Sequence, residues 1–454
     1  MAYQTLNPAT GEIVQVFDTW GDEQLETALS QVAEASPTWC ETPLDQRCSL
    51  LLRVAEVLRE QKEEMANLVS LEMGKLINES RAEVEKCALG CEYYARQAAV
   101  FLADEVIETD AGKSLVAYQP LGTVLAVMPW NFPLWQVFRF VAPALAAGNT
   151  ALLKHASNVP QCALAVERIL KQAGCPDGVF RTLMIDADTV ARVIADPRVH
   201  AVTLTGSEPA GRKVAACAGE HLKKSVLELG GSDAFVVLAD ADLDLAVDQA
   251  VASRYLNAGQ SCIAAKRFIV VDAIADEFVS RFTKAVEALK PGNPLDEHTT
   301  LAPMARTDLR DELHRQVEAS TEAGAKVLTG GKLINAPGAF YEATILDNVG
   351  AGMPAYDEEM FGPVAAVIRV QNEEHALEVA NDSRFGLGGS VWTQDNGKGE
   401  QFARRMQCGS AFVNGMVKSD PRLPFGGIKA SGYGRELSHH GMREFVNAKT
   451  VWVK

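Results

Sequence analysis

Three short segments carry side chains able to work on a carbonyl carbon. Asn257-Ala-Gly-Gln-Ser-Cys262 sets a thiol after a glycine and polar residues at the end of a helical pattern. There Cys262 is either an exposed nucleophile or one more buried thiol. In Leu227-Glu-Leu-Gly-Gly231, Glu228 is a carboxylate inside an apolar run, the setting of an ion-pair partner or of a general base with a raised pKa. Pro129-Trp-Asn-Phe-Pro133 holds Asn131 between two prolines that stiffen the backbone, so its amide could donate to an oxyanion or simply close a turn.

A fourth segment, Thr205-Gly-Ser-Glu-Pro-Ala-Gly211, lies between a strand and a helical run, where backbone N–H groups meet a pyrophosphate, although it lacks the full G-x-G-x-x-G pattern. Other chemically suggestive residues have plainer readings. Gly74-Lys75 lacks the upstream glycine of a phosphate-binding loop and reads as a helix end. Cys87 and Cys91, one helical turn apart, read as packing, and His439-His440 as surface.

These segments need a frame. Leu25 to Val32 and Arg47 to Met73 place apolar residues at helical spacing, with charges on the opposite face. Continuously apolar runs follow at Gly122 to Met128, Thr150 to Lys154, Ala201 to Thr205 and Ala234 to Leu238, most of them leading into a helical pattern. Such runs with helical crossovers predict a parallel sheet covered on both faces. A second alternation, from the helix near Leu243 to Leu256 through Arg267 to Val271, Ala365 to Val370 and Ser410 to Asn414, predicts a second α/β unit. Val451-Trp452-Val453 reads as a terminal strand that must find a partner strand, such as one in a neighbouring subunit.

Composition narrows the function. With 43 basic and 59 acidic side chains the net charge is −16, which repels a nucleic acid backbone. The apolar fraction of 47% is that of a folded globular chain of about three structural units. The most apolar stretch, Leu134 to Leu153, is interrupted by Gln136, Arg139, Pro143, Gly148 and Asn149, so no membrane span is expected. The start lacks a secretory pattern, and the nine cysteines include no C-x-x-C pair. The chain is expected in the cytoplasm, with reduced thiols and no metal.

Taken together and in order, seven segments resemble the aldehyde dehydrogenase superfamily: Asn7-Pro-Ala-Thr-Gly-Glu12, Pro129-Trp-Asn-Phe-Pro133, Leu204-Thr-Gly-Ser207, Glu228-Leu-Gly-Gly231, Gly259-Gln-Ser-Cys262, Glu358-Glu-Met-Phe-Gly-Pro363 and Pro424-Phe-Gly-Gly-Ile-Lys-Ala-Ser-Gly432. The resemblance implies an α/β fold with a Rossmann-like cofactor domain over residues 1–228 and an α/β catalytic domain over 229–425. It also implies a small oligomerisation sheet, built from a hairpin at 113–128 and the C-terminal segment 426–454, and hence a homodimer or homotetramer. By the same resemblance Cys262 is the nucleophile, Glu228 the general base and Asn131 the side-chain oxyanion donor, with the Cys262 N–H beside it. Trp130, Gly206 and Ser207 would follow the pyrophosphate path, Leu229 and Phe361 the nicotinamide end, and Glu359 its ribose.

Where many NAD-using relatives carry an acidic residue, this chain has Ser157, in Lys154-His-Ala-Ser157. Loss of that charge beside Lys154 implies NADP in preference to NAD, while His155 replaces the family's proline. The chain is most similar to the bacterial succinate-semialdehyde dehydrogenases, which implies a short anionic aldehyde as the small-molecule partner. Arg139 and Ser419 would hold its carboxylate, with Trp135 and Ser261 lining the channel. A second arginine of that group is Leu256 here, and Ala264 removes a possible redox cysteine. The rival readings are a broad dehydrogenase for neutral or aromatic aldehydes, favoured by Trp135, Phe138 and Phe140, and an inactive structural protein of the same fold.

Overall fold

The apolar runs do become strands, and their C-terminal ends assemble the site. The structure, a computed structural model, describes residues 3–454. One six-stranded sheet runs in the order Gly432–Tyr433, Lys224–Glu228, Ala201–Thr205, Thr123–Met128, Thr150–His155, Phe180–Thr182, all parallel except the first pair. A seven-stranded sheet follows in the order Lys326–Thr329, Thr344–Asp347, Val364–Val370, Ala265–Val271, Asp233–Val237, Gly388–Trp392, Ser410–Val413, again parallel beyond its first pair. The chain passes from one sheet to the other between Glu228 and Asp233, so Glu228 stands at the seam. Both sheets are covered by helices, which explains why their strands are apolar on both faces.

The long apolar stretch resolves into the helix Trp135–Ala146, buried along its whole length, and the strand Thr150–His155. The helix has no capping side chain of its own. The Glu83 carboxylate, paired with Lys75, accepts from the N–H groups of Leu134 and Trp135 at 2.9 and 3.0 Å instead. A distant carboxylate thus orients the helix that carries Trp135, Gln136 and Arg139.

Residues 113–128 are not a hairpin. Lys113–Pro120 belongs to a three-stranded sheet with Val446–Val453 and Glu105–Val106, whereas Thr123–Met128 lies in the six-stranded sheet. Between them Gly122 adopts φ +121°, and a side chain there would collide with His200, so the chain turns away from itself. The terminal strand pairs within its own chain, from Val446 opposite Pro120 to Val453 opposite Lys113. Its other edge and most of its side chains stay exposed.

All nine cysteines are free thiols. Among the described residues no helix is long and apolar enough to cross a membrane, and no cluster of side chains has the make-up of a metal site.

Candidate active site

Cys262 is delivered by an unusual stretch of backbone. The helix Leu243–Tyr255 gives way to Asn257, Ala258 and Gly259, all left-handed at φ 54°, 51° and 73°. Two non-glycine residues in that region cost about 1–3 kcal/mol each, so the surroundings must hold them. Arg254, fully buried, does so by donating to the carbonyls of Gly259 and Gly362 at 2.6 Å each and of Ala265 at 2.9 Å. A Cβ at residue 259 would strike the Gly362 carbonyl, which accounts for glycine there. Asn257 Nδ2 donates to the carbonyls of Asn131 (2.8 Å) and Gln260 (3.1 Å), tying the thiol loop to the Pro129–Pro133 loop. Lys266 Nζ completes the clamp on the carbonyls of Ser261 and Cys262 at 2.8 and 2.7 Å.

The amide of Asn131 donates one Nδ2 proton to the Gln260 carbonyl at 3.1 Å and retains a second. Among the described residues no backbone carbonyl takes the Cys262 N–H. Two donors therefore remain beside the sulfur. His155, buried under this loop, bonds the Pro133 carbonyl at 2.8 Å, and burial holds its pKa down to about 4. The neutral ring fixes the oxyanion loop where the family's proline is missing.

Glu228 Oε2 lies 3.8 Å from Cys262 Sγ, and Glu228 Oε1 has no partner. Burial raises the Glu228 pKa, while Arg139 opposes that rise with its charge and a 2.9 Å bond from Nη2. Arg139 also donates to Thr205 Oγ1 at 3.0 Å and pairs through Nε with Glu436 at 2.6 Å. Burial pushes Glu436 to about 7. Arg139 was expected to hold a substrate carboxylate; its Nη2 and Nε contact two protein carboxylates, and its charge opposes the rise that burial gives the Glu228 pKa. Burial and the Glu228 charge push the Cys262 thiol well up, so the resting sulfur is protonated with its acceptor alongside.

Cys262 lies on the walls of two cavities. The larger, about 260 Å³, is lined by Trp130, Asn131, Gly206, Ser207, Glu228, Leu229, Glu359 and Phe361. The Trp130 and Phe361 rings meet edge-on at 5.8 Å, and Glu359 is held by the Gly231 N–H at 3.0 Å and by Lys266 at 3.4 Å. Ser207 precedes the 13-residue helix Glu208–Glu220, whose N-terminus faces this end of the sheet. A nicotinamide dinucleotide fits these residues: an apolar slot for the flat ring, a carboxylate for the ribose and a helix N-terminus for the pyrophosphate. Lys154 and Ser157 do not line this cavity. Lys154 is the next-to-last residue of the adjacent strand, opposite Val127, and Ser157 lines a separate cleft with Asn158 and Arg306.

The smaller cavity, about 100 Å³, is lined by Trp135, Arg139, Ser261, Cys262 and Ser419, and by Lys86 and Leu256. Phe138 and Phe140, aromatic candidates for a tunnel, are packed in the core instead. Sequence reasoning missed Lys86, Lys266, Gln260 and Glu436. Lys266 had a signal, a lysine within the apolar strand Ala265–Val271; Lys86 had none, because it is one of many charged residues of the amphipathic helix Ile77–Phe101.

The whole chain has close relatives. The aldehyde dehydrogenase family model matches residues 1–451. A protein of Synechocystis sp. named "Probable succinate-semialdehyde dehydrogenase (NADP(+))" is 52% identical over 453 residues, covering 100% of both chains. The Escherichia coli "Succinate semialdehyde dehydrogenase (NAD(P)+) Sad" is 50% identical, covering 99% of this chain and 97% of its own. The solved structure of succinic semialdehyde dehydrogenase from Streptococcus pyogenes with NADP+ superposes with a TM-score of 0.98 at 41% identity, covering 100% of both chains. Sequence, fold and the placement of Cys262, Glu228 and Asn131 agree: this chain belongs to the aldehyde dehydrogenase family.

Proposed function

We propose that the chain oxidises succinate semialdehyde to succinate, with NADP as the favoured hydride acceptor. The observation that carries the reading is Cys262 on the shared boundary of a cavity shaped for a dinucleotide and a small cavity of about 100 Å³. The latter is lined by Trp135, Arg139, Ser261 and Ser419, polar groups set beside the sulfur and able to receive a short polar aldehyde. Relatives named for this substrate, similar over their full length, support the choice.

The chemistry follows from the contacts. Glu228 takes the thiol proton across the 3.8 Å contact, and the thiolate attacks the aldehyde carbon. The alkoxide so formed is met by the second Asn131 Nδ2 proton and the Cys262 N–H. A dinucleotide bound in the larger cavity supplies the hydride acceptor. With an acyl group on Cys262, and with the thiol proton released from Glu228 to solvent, Glu228 orients a water and removes its proton; the carbon–sulfur bond breaks, Glu228 returns that proton to the departing sulfur, and the product leaves as the carboxylate with its acid proton lost to solvent. Arg139, 2.9 Å from Glu228, favours its ionised form against the effect of burial.

NADP is favoured because Ser157 puts no negative charge against a 2′-phosphate, and because Lys154, held below the usual lysine range by burial, pairs with no carboxylate among the described residues. Residues 1–228 would form the cofactor unit and 229–425 the catalytic unit, with 426–454 closing back on both. The exposed edge of Val446–Val453 supports a homodimer or homotetramer, and nine free thiols suit the reducing cytoplasm.

Initial rates of nicotinamide reduction test the reading, with succinate semialdehyde, butanal and benzaldehyde, each with NADP and NAD. A kcat/KM at least ~100-fold higher for succinate semialdehyde is expected, about 2.7 kcal/mol of discrimination. Comparable rates on the neutral aldehydes would contradict it.

A further inference from the structure

We propose that Lys86, seated on the Ser419 hydroxyl and over the Trp135 ring in the wall of the smaller cavity, is the cation that binds the far carboxylate of the aldehyde. The inference rests on the reading above that the substrate carries such a carboxylate.

Three observations lead to it. First, Lys86 Nζ donates to Ser419 Oγ at 2.6 Å and sits 4.5 Å from the Trp135 ring centre, and both partners line the cavity that Cys262 shares. Second, its charge is uncompensated. Arg139, the other cation of that cavity, is balanced by Glu228 and Glu436, and Glu83, on the same helix as Lys86, is taken by Lys75 and by the N–H groups of Leu134 and Trp135. Among the described residues Lys86 pairs with no carboxylate, and its burial next to Arg139 lowers its pKa to about 8. A half-buried ammonium left without a carboxylate partner gains from an incoming anion.

Third, the hydrogen bonds leave donors over. Ser419 Oγ accepts from Lys86 and, at 3.1 Å, from Trp135 Nε1, so its own proton must be given elsewhere. Lys86 spends one of three N–H bonds on Ser419. One ammonium and one hydroxyl, adjacent and both with protons to give, match the two oxygens of a carboxylate. A neutral aldehyde would leave them unanswered, which is how a polar site rejects an analogue lacking the matching group.

The test is the ratio of kcat/KM for succinate semialdehyde to that for butanal, in wild type, Lys86→Met, Lys86→Arg and Ser419→Ala. Loss of a charge-assisted bond should lower the ratio by about 30-fold in Lys86→Met, with the fall carried by KM for the acid aldehyde. Lys86→Arg should restore much of it. Ser419→Ala, which removes a single oxygen, should lower the ratio by about tenfold and gives an answer even if the Lys86 variants do not fold. A ratio unchanged within threefold in Lys86→Met, or in Ser419→Ala where only that variant folds, would overturn the proposal. A wild-type ratio near one would instead sink the substrate reading, so the two failures are distinguishable.

Discussion

At the scale of single residues, the base and its cation explain each other. Glu228 is buried, yet it must be ionised to take a proton, and Arg139 reconciles the two. In Arg139→Met the Glu228 pKa should rise, so the acidic limb of the kcat–pH profile should move up by about one unit, for acid and neutral aldehydes alike. Breaking the buried pair should also cost about 3–5 kcal/mol of stability. An effect confined to the acid aldehyde would restore Arg139 as a substrate anchor. Ser157→Glu should lower kcat/KM with NADP at least ~10-fold while sparing NAD, measured as the ratio of the two. Cys262, Glu228 and Asn131 were legible because each sits in a short local motif. The commitment of Arg139 was not, because its second partner, Glu436, reaches it only through the fold; Lys86 and Ser419, 333 residues apart, are the same case.

At the scale of elements, the site depends on loops held from outside themselves. Strand ends at Met128, Thr205 and Glu228 set the spacing, and the α/β alternation that predicts them is local and therefore readable. The strain at Asn257 and Ala258 and the role of His155 depend on neighbours from other segments, so no pattern announced them. His155 has a checkable signature. Its pKa falls from 6.5 unfolded to about 4 folded, so its contribution is fully present above pH 6.5 and is lost as pH drops towards 4. His155→Asn lacks this titration. The stability gap between wild type and variant in urea melts should therefore change by about 3 kcal/mol in the variant's favour between pH 7.5 and 4. A gap independent of pH would mean that the folded and unfolded pKa values coincide and that burial does not hold the ring neutral.

At the scale of the whole molecule, the notable feature is a sheet left open. The family resemblance implied a hairpin at 113–128; the left-handed Gly122 instead sends the strand after Lys113–Pro120 into another sheet. Pairing of Val446–Val453 with it leaves Val451, Trp452 and Val453 exposed at 36%, 50% and 50% on an edge strand. On the proposed homo-oligomer, Trp452→Glu should lower the sedimentation coefficient towards that of a single chain without altering the intrachain pairing. An unchanged coefficient would remove this strand from any interface.

The claim that joins the three scales is that Glu228 serves a cysteine-bound acyl group held between two cavities. The direct measurement is a single-turnover experiment on Glu228→Gln with succinate semialdehyde and NADP, followed by intact mass. Nicotinamide reduction is expected to be slowed by loss of the thiol's base and to stop near one equivalent per active site, with the acyl group retained on Cys262 and released only slowly. Steady turnover at the wild-type rate with no retained adduct would contradict the account.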